Sequence, residues 1–113
     1  MEQLNNAKMI YSILDNKKAI DLKLFDTNNV SLLADYFIVA TGTSSTHVKA
    51  LAEEVEYEMK QKGIQAKSIE GYGSNSWILL DYGEIIVHVF TEEARNFYNI
   101  EALWNGMKKV EMD

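Results

Sequence analysis

The sequence predicts an α/β domain in which helices cover a mixed β-sheet. Two segments carry apolar residues at three- and four-residue spacing, the pattern of an amphipathic helix, and short apolar runs of strand length lie around them. A strand-helix-strand crossover followed by a hairpin combines parallel with antiparallel pairing. The predicted order is αββαβββα, in one domain over residues 1–113, because 113 residues are the length of a single domain.

The first half of the chain supplies one helix and two strands. Residues 3–16 form an amphipathic helix with the apolar stripe Leu4, Ala7, Ile10, Tyr11 and Leu14. Residues 19–25 alternate, which places Ile20, Leu22 and Leu24 on one face of a strand. A turn over 26–29 and a connector over 30–34 then lead to 36–41, which is apolar on both faces and therefore predicted to be central in the sheet.

The second helix is predicted over residues 45–62. Its apolar stripe consists of Val48, Leu51, Ala52, Val55 and Met59. Gly63 is placed to end it, since glycine readily adopts the left-handed conformation that follows many helices.

The C-terminal part supplies three strands and a short helix. Strands are predicted over 67–70, 77–81 and 84–90, with a glycine-rich loop over 71–76, and the turn at Tyr82-Gly83 makes the last two a hairpin. Thr91 is expected to cap a helix whose first turn holds Glu92 and Glu93. A further helical turn runs to Trp104, which is expected to fill core, and residues 105–113 are expected to fray.

Composition narrows the possible functions. The chain contains no cysteine, which excludes disulfides, thiolate catalysis and a cysteine-based zinc site. No apolar run approaches the roughly 18–20 residues of a membrane helix. The N-terminal residues resemble neither a signal peptide nor a transit peptide, so a cytoplasmic location is expected.

The net charge of −6 indicates the kind of partner. Nucleic-acid binding depends on neutralising phosphates, and Arg95 is the only arginine, so direct nucleic-acid binding is disfavoured. An acidic domain suits a basic protein surface, because complementary charge speeds association. The alternative is that the charge only maintains solubility.

One segment suggests an enzyme. Residues 42–45, Gly-Thr-Ser-Ser, join a strand to a helix N-terminus and resemble the Gly-Ser signature of nucleotidyltransferases, which hold metals with two carboxylates. Here Asp81 has no second acid on its strand, and Glu84 lies beyond a turn. Neither His47 nor His88 completes a catalytic set or a metal pair. A purely structural helix cap is favoured, and no catalytic or metal site is predicted.

A protein-binding site is the competing hypothesis. Alternation places Trp77 and Asp81 on one face of their strand, whereas Ile78, Leu80 and Tyr82 lie on the other, where Ile85 or Ile86 of the partner strand adds to the core. An exposed tryptophan near tyrosine and acidic residues is typical of a binding hot spot. The alternative is that Trp77 packs beneath a helix.

The chain also resembles the ribosomal silencing factor family, the Iojap-related proteins. The resemblance spans about residues 15–105, with order and spacing intact. Its motifs are Asp35-Tyr36-Phe37, Ala40-Thr41-Gly42-Thr43-Ser44-Ser45, His47-Val48-Lys49-Ala50-Leu51-Ala52, Glu70-Gly71, Trp77, Leu80-Asp81-Tyr82-Gly83, Val87-His88-Val89-Phe90, Ala94-Arg95, Phe97-Tyr98 and Leu103-Trp104.

The resemblance implies a homodimer with a nucleotidyltransferase-like fold, no catalytic carboxylate pair and no cofactor. It implies binding to the large ribosomal subunit through ribosomal protein fourteen, where the bound factor blocks joining of the small subunit and represses translation when nutrients are short. Carried onto this sequence, the partner-binding residues are Trp77 as the aromatic anchor, with Glu70, Tyr72, Asp81 and Tyr82 around it. The alternatives are a nucleotide-binding enzyme that uses residues 42–45, and a dimeric scaffold in ribosome assembly.

Overall fold

The computed structural model describes residues 2–27, 34–103 and 108–110. The elements are α1 (Glu2–Asn16), β1 (Ile20–Asp26), β2 (Tyr36–Gly42), α2 (Ser45–Gln61), β3 (Ser68–Glu70), β4 (Trp77–Asp81), β5 (Ile85–Thr91), α3 (Glu92–Tyr98), α4 (Ile100–Leu103) and β6 (Lys108–Lys109). The predicted order is therefore confirmed up to α3, and α4 is the expected further helical turn.

These strands form one six-stranded mixed sheet. Its order is β3-β4-β5-β2-β1-β6, with β2 and β5 parallel and every other pair antiparallel. The sheet contains the predicted crossover, in which α2 follows β2, and the predicted β4–β5 hairpin. The mixed sheet covered by helices is confirmed, and β2 is central as expected from its apolar faces.

Helices α1 and α2 cover one face of the sheet. The α2 stripe predicted from the sequence is fully buried there, together with Ile78 and Leu80 from β4. Of the two isoleucines at the start of β5, Ile85 belongs to this core, whereas Ile86 faces the opposite side. We refer to this side of the sheet as the α2 face.

The opposite side, which we call the α3 face, is covered by a much shorter helix. Phe37, Phe90, Ala94 and Ile100 are buried in the apolar cluster on this side. Helix α3 packs against β5 and β2. Towards β4 and β3 the cover is incomplete, so that Trp77 and Leu79 are only half-buried and Glu70 is exposed.

Two predictions, one for the start of β1 and one for the C-terminal tail, differ from the structure. Ile20 does not share a buried face with Leu22 and Leu24 but is 47% exposed, because the strand register shifts between Ile20 and Lys23. The shift coincides with a left-handed backbone at Asp21, with φ 49°, which turns the start of the strand out of alternation. Within residues 105–113, predicted to fray, Lys108 and Lys109 form β6 and pair with Asp26 and Phe25, so the prediction is wrong for these two residues. The connector prediction for residues 30–33 and the core prediction for Trp104 lie outside the described residues.

Arg95, the single arginine of the chain, is buried and joins several elements through its hydrogen bonds. Arg95 is 7% exposed, its Nη1 donates to the Asp21 carbonyl and, at 2.8 Å, to Thr41 Oγ1, and its Nε donates to Glu101 at 3.1 Å. It thereby fixes α3 against the ends of β1 and β2 and against α4. A buried and paired guanidinium is not available for nucleic-acid phosphates. In the described part of the chain, no helix has the length and apolar character needed to span a membrane.

Candidate protein-binding site

Trp77 packs against other aromatic rings and remains partly exposed to solvent. Its indole lies on the α3 face, with ring centroids 5.0 Å from Phe90 and 4.5 Å from Tyr98. Its Nε1 donates a hydrogen bond to His88 Nδ1 at 3.1 Å. The ring remains half-buried, so each of the two alternatives drawn from the sequence describes part of it. A rigid, partly exposed tryptophan is well suited to anchor a protein partner.

His88 lies beneath this tryptophan and is 3% exposed. Phe37 meets it edge-on at 5.1 Å, and Phe90 stacks on it at 6.0 Å. Because Nδ1 accepts from Trp77, the neutral ring carries its hydrogen on Nε2, a buried atom with no hydrogen-bond partner among the residues that the structure describes. Burial lowers the pKa of His88 to about 4, so the ring is neutral at physiological pH. The expected structural, locally hydrogen-bonded histidine is confirmed.

A shallow depression of about 240 Å³ adjoins Trp77 and is lined by Glu70, Gly71, Trp77 and Leu79. Glu70 lies directly opposite Leu79 across the β3–β4 pair, which places it on the face of Trp77. Gly71 has φ 104°, and a Cβ there would lie 2.1 Å from the Trp77 carbonyl oxygen. Only glycine therefore permits this loop to pass so close to β4. The structure brings Glu70 and Trp77 together, as predicted.

The two predicted tyrosines lie on the other side of the sheet. The Tyr72 hydroxyl donates to Glu56 of α2 at 3.4 Å, and Tyr82 packs against the core of the α2 face. The Tyr82 hydroxyl is buried and has no hydrogen-bond partner within the described part of the chain. Burial and, to a smaller extent, the nearby Glu56 carboxylate raise the pKa of Tyr82 to about 12. Neither tyrosine shares the surface around Trp77.

Asp81 belongs by alternation to the face of Trp77, but its carboxylate is engaged locally. Its Oδ1 accepts from the backbone N–H of Gly83 at 2.8 Å, which stabilises the turn into β5. Gly83 itself has φ 88°, a conformation that suits glycine. Asp81 is half-buried, so this turn contact leaves part of the residue exposed to solvent.

Phe97 and Tyr98 extend the aromatic surface beyond the predicted site. Phe97 is 82% exposed and Tyr98 is 45% exposed, and their rings meet edge-on at 5.1 Å. The sequence predicts both only as helix residues and as part of the family pattern. Adjacent aromatic residues on a short helix were the available signal, since neighbouring helix positions diverge in direction and cannot both face the core.

The strand-to-helix turn at residues 42–45 is occupied by the protein's own groups. Ser44 Oγ accepts from the His47 N–H at 3.1 Å, and the Thr43 N–H donates to His47 Nδ1 at 2.9 Å. His47 Nε2 in turn donates to the Lys17 carbonyl at 3.0 Å, because Nδ1 is already an acceptor. A Cβ on Gly42 would lie 2.8 Å from the Val48 nitrogen, so the glycine serves close packing. These contacts support the structural-cap interpretation.

A second depression of about 230 Å³ lies beside this turn. Its lining includes Asp21 and Glu92 as well as Arg95, whose guanidinium is already paired. Two carboxylates beside one neutralised cation do not favour a phosphate group. Among the residues that the structure describes, no cluster of three or more histidine, aspartate or glutamate side chains is arranged to hold a metal.

The chain is similar in sequence to known proteins. The sequence pattern of the family described as "Ribosomal silencing factor during starvation" matches residues 1–113. The chain is 36% identical over 113 residues to "Ribosomal silencing factor RsfS" of Bacillus subtilis, covering 100% of this chain and 96% of that protein. It is 30% identical over 102 residues to the mouse "Mitochondrial assembly of ribosomal large subunit protein 1", covering 85% of this chain and 43% of that protein.

The fold also has a close match among solved structures. A crystal structure of a protein from Chromobacterium violaceum superimposes with a TM-score of 0.90 at 37% sequence identity. The match covers 100% of this chain and 94% of that one.

Proposed function

The chain belongs to the ribosomal silencing factor family, and on that premise we propose that it represses translation by keeping the ribosomal subunits apart. Membership implies ribosome-associated regulation of translation. The proposed mechanism is binding to the large subunit through ribosomal protein fourteen, so that the bound protein sterically prevents the small subunit from joining. The homodimer and the cytoplasmic site of action expected from the sequence are parts of the same proposal.

The observation that carries this proposal is the match to the family over the whole chain, residues 1–113. The net charge of −6 supports it, because it complements a basic ribosomal protein. The half-buried Trp77 beside an open depression supports it as well. A steric blocker needs a surface rather than a catalytic centre, and the Bacillus subtilis relative is named as a silencing factor.

The proposed contact surface centres on Trp77, with Glu70 beside it. Asp81 contributes from the far end of the same strand, and Tyr72 lies at the exposed β3–β4 loop, within reach of a partner that wraps around that edge of the sheet. Tyr82 is half-buried, and since its hydroxyl is buried we propose that it contributes through the accessible part of its ring.

A second candidate function is a role in assembly of the large subunit. The name of the mouse relative, which refers to assembly of the mitochondrial large ribosomal subunit, favours it. Both functions require the same binding event and differ in whether the bound particle is mature or immature.

A binding experiment tests the proposal. The tagged protein is immobilised and exposed separately to purified large subunits, small subunits and isolated ribosomal protein fourteen. We expect capture of large subunits and of protein fourteen but not of small subunits. Capture of small subunits alone, or of no ribosomal component, would overturn it.

A further inference from the structure

His88 occupies a buried position of β5 that an apolar side chain would fill with less loss of stability. Its ring lies between Phe37 and Phe90 in the apolar cluster of the α3 face. Within the described part of the chain, its Nε2 atom is buried and has no hydrogen-bond partner. Burial of a polar group without a partner destabilises a fold. Packing alone therefore does not account for a histidine at this position.

The hydrogen bond that the His88 ring makes to a described side chain runs to Trp77. Its Nδ1 accepts from the indole Nε1 at 3.1 Å. In the β4–β5 pair, Trp77 lies opposite Phe90 and His88 lies opposite Leu79, so the two bonded residues are diagonal neighbours on one face of the sheet. The indole N–H is a donor only, and Nδ1 supplies the acceptor that it needs.

This hydrogen bond fixes a property of the indole that packing leaves free. The second side-chain torsion of tryptophan has a broad, roughly two-fold preference, so a half-buried ring has two orientations to choose from. Phe90 and Tyr98 contact the ring by apolar packing, which is not directional. The bond to His88 is directional, because it forms only when the indole N–H points to Nδ1. His88 thus selects one orientation of Trp77.

We infer that His88 is a positioning residue, whose Nδ1 holds the Trp77 indole in the orientation that binds the partner, and that this role is the reason why a destabilising histidine lies in the core. The inference rests on the proposed function, in which Trp77 is the anchor. It adds a residue that is 3% exposed and therefore acts through Trp77 rather than by touching the partner. An anchor held in one orientation binds more tightly, because less freedom is lost on binding.

The test measures affinity and stability separately in two variants. His88→Leu removes the acceptor and keeps a side chain of similar size, whereas His88→Gln keeps an amide oxygen that accepts from the indole. We expect His88→Leu to bind purified large subunits about tenfold more weakly than the wild type, and His88→Gln to restore most of the affinity. The urea midpoint of His88→Leu at neutral pH should equal or exceed that of the wild type, because the unpartnered Nε2 hydrogen is gone.

Two controls and one spectroscopic readout identify the hydrogen bond as the cause. Phe37→Leu changes the same buried cluster but keeps the bond, so it should lower the urea midpoint and leave the affinity unchanged. In a Trp77→Ala background, His88→Leu should lower the affinity no further, because its effect passes through the indole. By NMR, the indole N–H of Trp77 should exchange with solvent faster in His88→Leu than in the wild type or His88→Gln.

The contrary outcomes separate the inference from the function on which it rests. Wild-type affinity in His88→Leu, or equal losses in His88→Leu and His88→Gln, would overturn the inference and leave the proposed function standing. A loss of affinity accompanied by a lower urea midpoint, or an equal loss in Phe37→Leu, would also overturn it, since His88 would then serve the core alone. If the wild-type protein does not bind large subunits, the proposed function fails first and the inference with it.

Discussion

At the scale of single residues, a hydrogen bond joins the side chains of Trp77 and His88. The indole of Trp77 is fixed by a hydrogen bond to His88 and by the rings of Phe90 and Tyr98, so in the proposed complex its burial would cost little side-chain entropy. This arrangement leaves the Nε2 hydrogen of His88 buried, with no acceptor among the described residues. An unmet buried donor of this kind costs about 1–3 kcal/mol.

Replacing Trp77 tests its role as the anchor. Trp77→Ala is expected to weaken binding to the large subunit by about 2 kcal/mol or more, roughly thirtyfold, because it removes the central aromatic contact. The same change removes packing against Phe90 and Tyr98, so the free energy of unfolding is measured alongside. A folded Trp77→Ala variant with wild-type affinity would contradict the assignment.

His88 makes stability depend on pH. Its pKa is about 4 in the fold, against 6.5 in the unfolded chain, so the unfolded state takes up the proton first as the pH falls. Stability is therefore unaffected above about pH 6.5 and is lost between pH 6.5 and 4. At pH 5 the loss from this group is about 2 kcal/mol.

His88→Gln provides the comparison, since glutamine retains an acceptor for the indole but does not titrate. The free energy of urea unfolding is measured at pH 7.5 and pH 5 for both proteins. We expect the wild type to lose about 2 kcal/mol more than the variant. Equal losses would show that His88 is not buried as neutral imidazole.

At the scale of secondary-structure elements, local periodicity predicts most of the fold. The buried stripe of α2, the β4–β5 hairpin and the Thr91 cap follow from spacing and turn chemistry over a few residues. The register shift in β1 depends on a left-handed Asp21, and no glycine or asparagine at that position signals it. The pairing of β6 with β1 joins distant parts of the chain, which local patterns do not record.

The sequence likewise predicts part of the candidate site and misses the rest. Alternation along β4 correctly separates Trp77 from Tyr82, but it does not reach Tyr72, which lies in a loop containing left-handed Gly73 and Asn75. Its hydroxyl therefore reaches Glu56 on the α2 face, a contact that strand periodicity does not predict. The exposure of Phe97 depends on which side of α3 packs, and a helix of seven residues is too short for its sequence to show this.

The turn before α2 provides an element-scale prediction. Ser44→Ala removes the side chain that accepts from the His47 N–H and is expected to lower the free energy of unfolding by about 1 kcal/mol. Ser45→Ala, one residue into the helix and exposed, is the matched control and should change stability little. Binding to large subunits should remain unchanged in both. A loss of binding with no loss of stability would indicate a ligand at this turn instead of a structural cap.

At the scale of the whole molecule, helices cover the two sides of the sheet to different extents. The α2 face contains the larger core under two long helices, whereas the α3 face leaves aromatic and acidic groups exposed beside β4 and β3. The net charge of −6 then favours a basic protein over nucleic acid as the first contact on a ribosomal particle.

The most direct measurement is sucrose-gradient sedimentation of purified bacterial subunits under magnesium concentrations that promote their association, with and without this protein. The account predicts fewer whole ribosomes, more free subunits, and this protein travelling with the large subunit alone. An unchanged profile, with the protein remaining at the top of the gradient, would contradict it.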